Sequence, residues 1–274
     1  MARIHGVFGK PWLDLLPHLP MLTPSLLHEL DAEIRAGLPR VPLGQTGATL
    51  KWMGVVAPWQ MDDGCIDAMD AIGAMSDAEF ETFVSLGDYP RESVKRGDAF
   101  GDETDAPFST AQIEWLTREH GVYFPWKVCY HLLENDRWED KHHGAGKSFA
   151  PEVNEVFPKS LALIRSLPFR EIGRVVIFGV QPGDHAPFHR DSEPSSSFSV
   201  AQSISIDPRG DKGLCLKNAE NDDPVMISSH AYWFNDMDYH GILPAPAFRY
   251  SLRIDGVFVP SFARDLERKA RTKQ

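Results

Sequence analysis

Cysteine is scarce in this chain: three in 274 residues, Cys65, Cys129 and Cys215, far apart and odd in number. That excludes a disulfide framework and any CxxC zinc or thiol–disulfide site, and it suits a reducing cytosol. Long hydrophobic runs are missing too. Stretches such as Val175 to Val180 fall far short of the ~20 apolar residues that cross a bilayer. Basic charge is in deficit, with 28 Lys+Arg against 39 Asp+Glu and a net charge of −11. Neither nucleic acid nor a membrane surface is expected as a partner, because both are held by clustered Lys and Arg. Met1 to Pro20 shows no basic segment leading into an apolar run, so no secretory signal is expected and the expected location is cytoplasmic. The remainder, 42% hydrophobic and 24% charged, is ordinary globular composition with enough chain for a substantial core.

The first half reads as helical with long connections. Thr23-Pro24 ahead of Leu26, Leu27, Leu30 and Ile34 supplies a cap, a proline in the first turn and an apolar stripe, with Gly37 as the stop. Ser76 to Glu79 is a capping box opening a helix through Phe80, Phe83 and Val84 to Gly87. Ser109 to Gln112 repeats it before Ile113, Trp115, Leu116 and Gly121. Asp88 to Pro107, charged and without period, reads as a long loop. After Gly121 the character changes. Val122 to Leu133 is aromatic and β-branched and predicts a strand interrupted by Pro125, and Phe157 to Leu167 predicts a helix. From Arg174 short strands follow one another (174–181, 197–207, 213–217, 225–229, 231–236, 248–259), punctuated by Pro182-Gly183, Pro208 to Asp211 and Asn221 to Pro224. Short strands with such turns predict an all-β barrel or sandwich. The basic end, Ala263 to Gln274, reads as a solvated helical tail.

Chemistry concentrates between Gln181 and Ser251. In His189-Arg190-Asp191 the imidazole and carboxylate share one face of extended backbone and can converge on one point. His240 follows about fifty residues later. Two histidines and a carboxylate form the facial triad that suits Fe(II) and leaves positions open for other ligands. Alone, an H-x-D is weak, and a surface His beside a turn Asp is its bland reading. The sequel strengthens it: Arg249, Ser251 and Arg253 share one face of a strand whose other face carries Tyr250, Leu252 and Ile254. An inward Arg with a hydroxyl two residues on suits a buried carboxylate. The competing reading, arginines on an exposed edge, weighs more for Arg253 than for Arg249.

H-x-D, the gap, H, then R-x-S resembles the Fe(II)/2-oxoglutarate-dependent oxygenases. Phe157 to Pro168, Val175 to His189, Trp233 to His240 and Arg249 to Asp255 narrow it to the aspartyl/asparaginyl β-hydroxylase-like branch, related to bacterial hydroxylases of free amino acids such as proline. The similarity covers roughly residues 155 to 260. It implies a mainly β core with α, a double-stranded β-helix (jelly-roll, cupin-like) at 122–262 in one domain spanning 1–274. Residues 1–121 would then be a helical elaboration shaping the pocket mouth or a homodimer contact, and 263–274 a basic tail.

The resemblance implies Fe(II) on His189, Asp191 and His240, with O2 and 2-oxoglutarate as cosubstrates. Arg249 and Ser251 would hold the distal carboxylate, with Arg253 as the backup. That branch usually lacks the carboxylate ligand, so Asp191 restores the full triad and favours hydroxylation over halogenation. Its polar pair on the following strand is unmatched: among Phe198, Val200, Gln202 and Ile204, Gln202 alone is a candidate for the other end of the cosubstrate. The expected activity is hydroxylation of an unactivated C–H in an amino-acid-like small molecule, with release of succinate and CO2. Alternatives are hydroxylation of an Asp, Asn or other side chain in a peptide or protein, and a cupin-like metalloenzyme or ligand sensor without 2-oxoglutarate. Asp236 and Asp238 are candidates to orient His240, or turn residues. His185, Arg190, Trp126, Lys127 and Tyr130 are lesser substrate candidates, each with a solvated reading beside it. Trp233 and Phe234 read as core, and His142-His143 as a loop without metal.

Overall fold

The computed structural model describes residues 4–41, 66–101, 105–122, 124, 128–133, 140–191, 200–217 and 223–271. Near the N-terminus, β1 (Trp12–Asp14) precedes α1 (Pro24–Gly37), where the Thr23 hydroxyl accepts from the Leu26 N–H at 3.2 Å. Gly37 ends α1 with φ −82°, not in a left-handed cap. Its place is steric, since a Cβ there would lie 2.4 Å from the Phe157 ring. α2 (Ala68–Ala74), which the sequence pattern did not reveal, is followed by α3 (Asp77–Ser85) and α4 (Thr110–His120). The last two open on complete capping boxes, and α4 closes on Gly121 at φ 67°. These helices share a core of their own around Phe80, Phe83, Phe108, Leu116 and Phe124. The described residues of 88–107 are anchored to it rather than loose: Val94, Phe100 and Ala106 are buried there. No helix among the described residues is long and apolar enough to cross a membrane.

The rest is mainly β. In chain order come β2 (Val128–Leu133), α5 (Val153–Val156), α6 (Pro158–Ser166), β3 (Phe169–Val180), β4 (Ala186–His189), β5 (Ser203–Ile206) and β6 (Leu214–Leu216). Then follow β7 (Val225–Met226), β8 (Ala231–Phe234), β9 (His240–Ile242), β10 (Arg249–Phe258) and α7 (Pro260–Arg271). Six strands form one sheet in the order β1-β8-β5-β10-β3-β2, and four form another in the order β4-β9-β6-β7. Neighbours pair antiparallel throughout. From β3 to β10 the chain passes back and forth between the sheets, which is the winding of a double-stranded β-helix. Of the expected strand over 122–133, residues 128–133 form β2, and of the one over 197–207, residues 203–206 form β5; Trp126, Lys127 and Phe198 lie outside the described residues.

The two faces of the larger sheet differ in a way that places the site. Tyr250, Leu252 and Ile254 of β10 join Val175 and Ile177 of β3 in the main core, with Leu27, Leu30 and Ile34 of α1, Leu161 and Ile164 of α6 and Leu266 of α7. α7 is therefore not a solvated tail: it buries Leu266 and Ala270 and keeps its basic residues outside. The alternate residues of β10, Arg249, Ser251, Arg253 and Asp255, are also buried, on the side toward the second sheet. A smaller apolar cluster including Val180, Leu214, Phe234 and Ile242 joins the two sheets. The helices take the apolar face, so the space between the sheets is free to be polar.

Candidate active site

Antiparallel pairing of β4 with β9 sets His189 directly opposite His240, which is why the long gap in sequence closes to a ring-centroid separation of 4.5 Å. Asp191 follows β4, its backbone N–H donating to the Asp236 carbonyl at 3.0 Å. All three residues are buried, and one donor atom from each falls within 4.8 Å of the others. Asp191 Oδ1 lies 3.7 Å from His189 Nε2 and 3.4 Å from His240 Nε2. Each Nδ1–H donates to the carbonyl two residues earlier, Pro187 at 2.7 Å and Asp238 at 2.9 Å. Because a carbonyl only accepts, Nδ1 of each ring keeps its proton, and each Nε2 faces the carboxylate, where it can hold either a proton or a metal.

Phe234 packs against His240 at 4.9 Å. Asp238 contributes its carbonyl to His240, while its carboxylate takes the backbone N–H groups of His5 and Gly6 at 2.8 and 2.7 Å. The candidate orienting carboxylate thus acts through the backbone instead.

The donor set fits a divalent first-row metal: two neutral imidazole nitrogens and one carboxylate oxygen, on one side of a buried point. Asp191 Oδ1 has no hydrogen-bond donor among the described residues, an orphaned acceptor that a cation would satisfy. Burial pushes the Asp191 carboxyl up, but His240, Arg253 and His189 outweigh it and hold the group well below the usual carboxylate range. It stands ionised, as a metal ligand must.

Arg253 lies beside the triad rather than at a carboxylate-binding end. Its Nη1 donates to Asp191 Oδ2 at 2.9 Å, its Nη2 to Asp236 Oδ2 at 2.9 Å and its Nε to Asp255 Oδ1 at 3.0 Å. Lys141 also bonds Asp236, and Arg174 Nε donates to the second oxygen of Asp255 at 2.8 Å. Three of its five N–H donors go to carboxylates at the triad, which places Arg253 with the metal-site residues and not at the Lys212 end as the backup anchor for a cosubstrate.

The cavity between the sheets runs from the triad to Ser251, Ser205, Tyr232 and Lys212, with Phe178, Val180, Leu214 and Ile242 as apolar walls. Lys212 is the residue that sequence reasoning missed. Its ammonium donates to Ser251 Oγ and to the Phe178 carbonyl, both at 2.8 Å, which leaves one of its three N–H donors uncommitted. Tyr232 also reaches Ser251 with its hydroxyl. Burial drives the Lys212 ammonium down to about 7, with Asp207 opposing and Arg249 and Arg253 adding to the effect. The turn before β6 aims it: Asp207 accepts from the Gly210 and Lys212 N–H groups at 2.9 and 2.8 Å, with Gly210 and Gly213 in the left-handed region.

Arg249 is buried as expected but does not line the cavity. Its guanidinium donates to three main-chain carbonyls, those of Lys212 at 3.0 Å, Leu243 at 2.6 Å and Asp184 at 3.1 Å. It sits opposite Val180 at the end of the β10–β3 ladder, whereas Ser251 sits opposite Phe178. Gln202 is not brought to the cavity either; its side-chain carbonyl accepts from the Phe258 N–H at the far end of β10. Among the lesser candidates, Arg190 lies over the Tyr239 ring at 3.9 Å, His185 stays in the turn before β4, and the Tyr130 hydroxyl donates to Glu152 at 2.8 Å.

No family model and no curated protein matches the chain. Among solved structures, a 2OG-Fe(II) oxygenase family oxidoreductase from Burkholderia pseudomallei is 13% identical with a TM-score of 0.32, over 48% of this chain and 70% of that one. A Pseudomonas putida prolyl-4-hydroxylase is 11% identical with a TM-score of 0.28, over 85% and 99%. A cupin domain from Bordetella pertussis is 14% identical with a TM-score of 0.22, over 30% and 78%. Superpositions this loose leave the assignment to the residues themselves.

Proposed function

We propose that this chain is an Fe(II)/2-oxoglutarate-dependent oxygenase that hydroxylates a C–H bond of an amino-acid-like small molecule. One observation carries the reading: a single cavity between the sheets has the His189, Asp191, His240 donor set at one end and the Lys212, Ser251, Tyr232 set at the other. A dicarboxylate whose one end chelates a metal needs that division. Fe(II) and 2-oxoglutarate supply, when bound, O2-dependent C–H oxidation with release of succinate and CO2. The protein's part is placement. His189, Asp191 and His240 hold the metal through Nε2, Oδ1 and Nε2. The spare N–H of Lys212, with the Ser251 and Tyr232 hydroxyls, takes the distal carboxylate through charge-assisted bonds. Phe178, Val180, Leu214 and Ile242 keep water out of the passage between them. A cupin-like metalloenzyme that does without 2-oxoglutarate has no use for a cation buried at the far end.

Purified metal-free protein given Fe(II), 2-oxoglutarate and O2 is expected to form succinate slowly without substrate, and His189→Ala to abolish this. Anaerobic addition of 2-oxoglutarate to the Fe(II) form should raise a broad visible absorption band. A mass-spectrometric screen over free and acylated amino acids should then find one that gains a single oxygen, with succinate formation accelerating alongside. Absence of both 2-oxoglutarate binding and succinate would overturn the reading, and a peptide or protein side chain as the only acceptor would overturn its small-molecule part.

A further inference from the structure

We propose that Arg253 is a positioning residue that makes Asp191 a one-oxygen metal ligand and so keeps three coordination positions open. This rests on the triad being a metal site. The geometry is specific. Arg253 Nη1 holds Asp191 Oδ2 at 2.9 Å, which turns Oδ1 toward His189 Nε2 and His240 Nε2. A carboxylate that used both oxygens would fill, with the two imidazoles, four of the roughly six positions around such an ion. A chelating cosubstrate and O2 together need three, so a two-oxygen Asp191 would leave one too few.

Arg253 can enforce this because it cannot turn. Its Nη2 and Nε are fixed on Asp236 and Asp255, and those carboxylates are themselves held by Lys141 and Arg174. Three cations meet three carboxylates in this buried cluster, so it is neutral before a metal arrives. Lysine, a point charge on a flexible stem, cannot span three carboxylates in one plane. The backbone adds a second restraint, because the Asp191 N–H donates to the carbonyl of Asp236, one of the residues Arg253 holds.

The test is a titration of metal-free wild type, Arg253→Lys and Arg174→Lys with Co(II), read by visible absorption. Arg174 is the control: it is as buried and bonds the same Asp255, whereas the bond to Asp191 Oδ2 comes from Arg253. Arg253→Lys is expected to weaken Co(II) binding by about 10–100-fold, the usual cost of losing a group that orients a metal ligand. Its bound spectrum should also differ from wild type, reporting an altered coordination number. Arg174→Lys should stay within about threefold with an unchanged spectrum. If Arg253→Lys is not recovered folded, Arg253→Met with Asp255→Asn removes one cation and one carboxylate, keeps the cluster neutral, and should show the same loss. Equal behaviour of the Arg253 and Arg174 variants, or an unchanged spectrum in the former, overturns the role of Arg253 alone. Wild type that binds no Co(II) overturns the metal site itself, and this role with it.

Discussion

Replacing Lys212 by methionine keeps the apolar stem of the side chain as far as Cε and removes its ammonium, with the charge and donors. In the structure the ammonium is held by Ser251 Oγ and the Phe178 carbonyl, with one N–H to spare for a ligand carboxylate. A hydrogen bond to a charged partner contributes about 1.5–3 kcal/mol. At 1.4 kcal/mol per tenfold, Lys212→Met should bind 2-oxoglutarate roughly 10–150-fold more weakly. The pH dependence is a sharper test. Burial first, then Arg249 and Arg253, bring the Lys212 ammonium down to about 7 against the pull of Asp207. A dianion binds the charged form, so affinity should be full below that pH and fall about tenfold for each unit above it. Without ligand the sign reverses. Between about 7 and the ordinary lysine value of 10.5 the unfolded chain binds a proton that the folded chain does not, so stability rises with pH across that window. The assay is an anaerobic titration of the Fe(II) form with 2-oxoglutarate from about pH 6 to 9, following its absorption band. Lys212→Arg, which keeps its charge throughout, should flatten the profile. Wild-type affinity that is level across that range, or a Lys212→Met variant within about threefold of wild type at pH 6, would refute the reasoning.

Arg249→Lys should separate stability from cosubstrate binding. Lysine cannot serve all three carbonyls, and losing about 3 kcal/mol of such bonds lowers Tm by roughly 6–12 °C in a chain of this size. Its 2-oxoglutarate affinity should change less than that of Lys212→Met, and the reverse order in a paired calorimetric comparison would return Arg249 to the binding site. Gly173→Ala probes the segment that brings in Lys141: the added Cβ would lie 2.5 Å from the Lys141 carbonyl and 2.6 Å from the His143 nitrogen. Overpacking of this kind costs about 1–3 kcal/mol, so a calorimetric Tm equal to wild type would show that the segment is not pinned against β3.

The triad was legible because strand geometry puts His189 and Asp191 on one face and because the winding of the barrel makes β9 the partner of β4. Likewise, β10 announces its two faces by alternation, Tyr250, Leu252 and Ile254 against Arg249, Ser251 and Arg253. Alternation gives the face but not the position along it. Two residues along a strand is about 7 Å, enough to carry Arg249 past the cavity end while Ser251 stays in it. The role of Arg253 was hidden for another reason: its three carboxylates come from Asp191, Asp236 and Asp255, and only the fold reveals that they meet. Lys212 was hidden by its setting. It stands in Pro208 to Gly213, where every neighbour is explained by turn chemistry, and nothing in the sequence distinguishes a lysine folded inward from one in water.

Buried charge also bears on how an acidic chain would hold the dianion proposed for it. The net charge of −11 describes the surface, whereas Arg253, Arg174 and Lys141 already answer Asp191, Asp236 and Asp255 inside. The two ends of the cavity then differ in what they offer a ligand: metal donors at one, a cation at the other. At the triad, Asp191 Oδ1 and two imidazole nitrogens point at one place, a donor set suited to a cation. At the other end, Lys212 is bonded to the neutral Ser251 hydroxyl and Phe178 carbonyl, and burial lowers its pKa against the pull of Asp207. A divalent metal with a dianionic chelator adds no net charge to this interior, while either one alone adds two units to it. Removing buried charges from water is tolerated only where they are matched, so metal and cosubstrate each make the site a better host for the other.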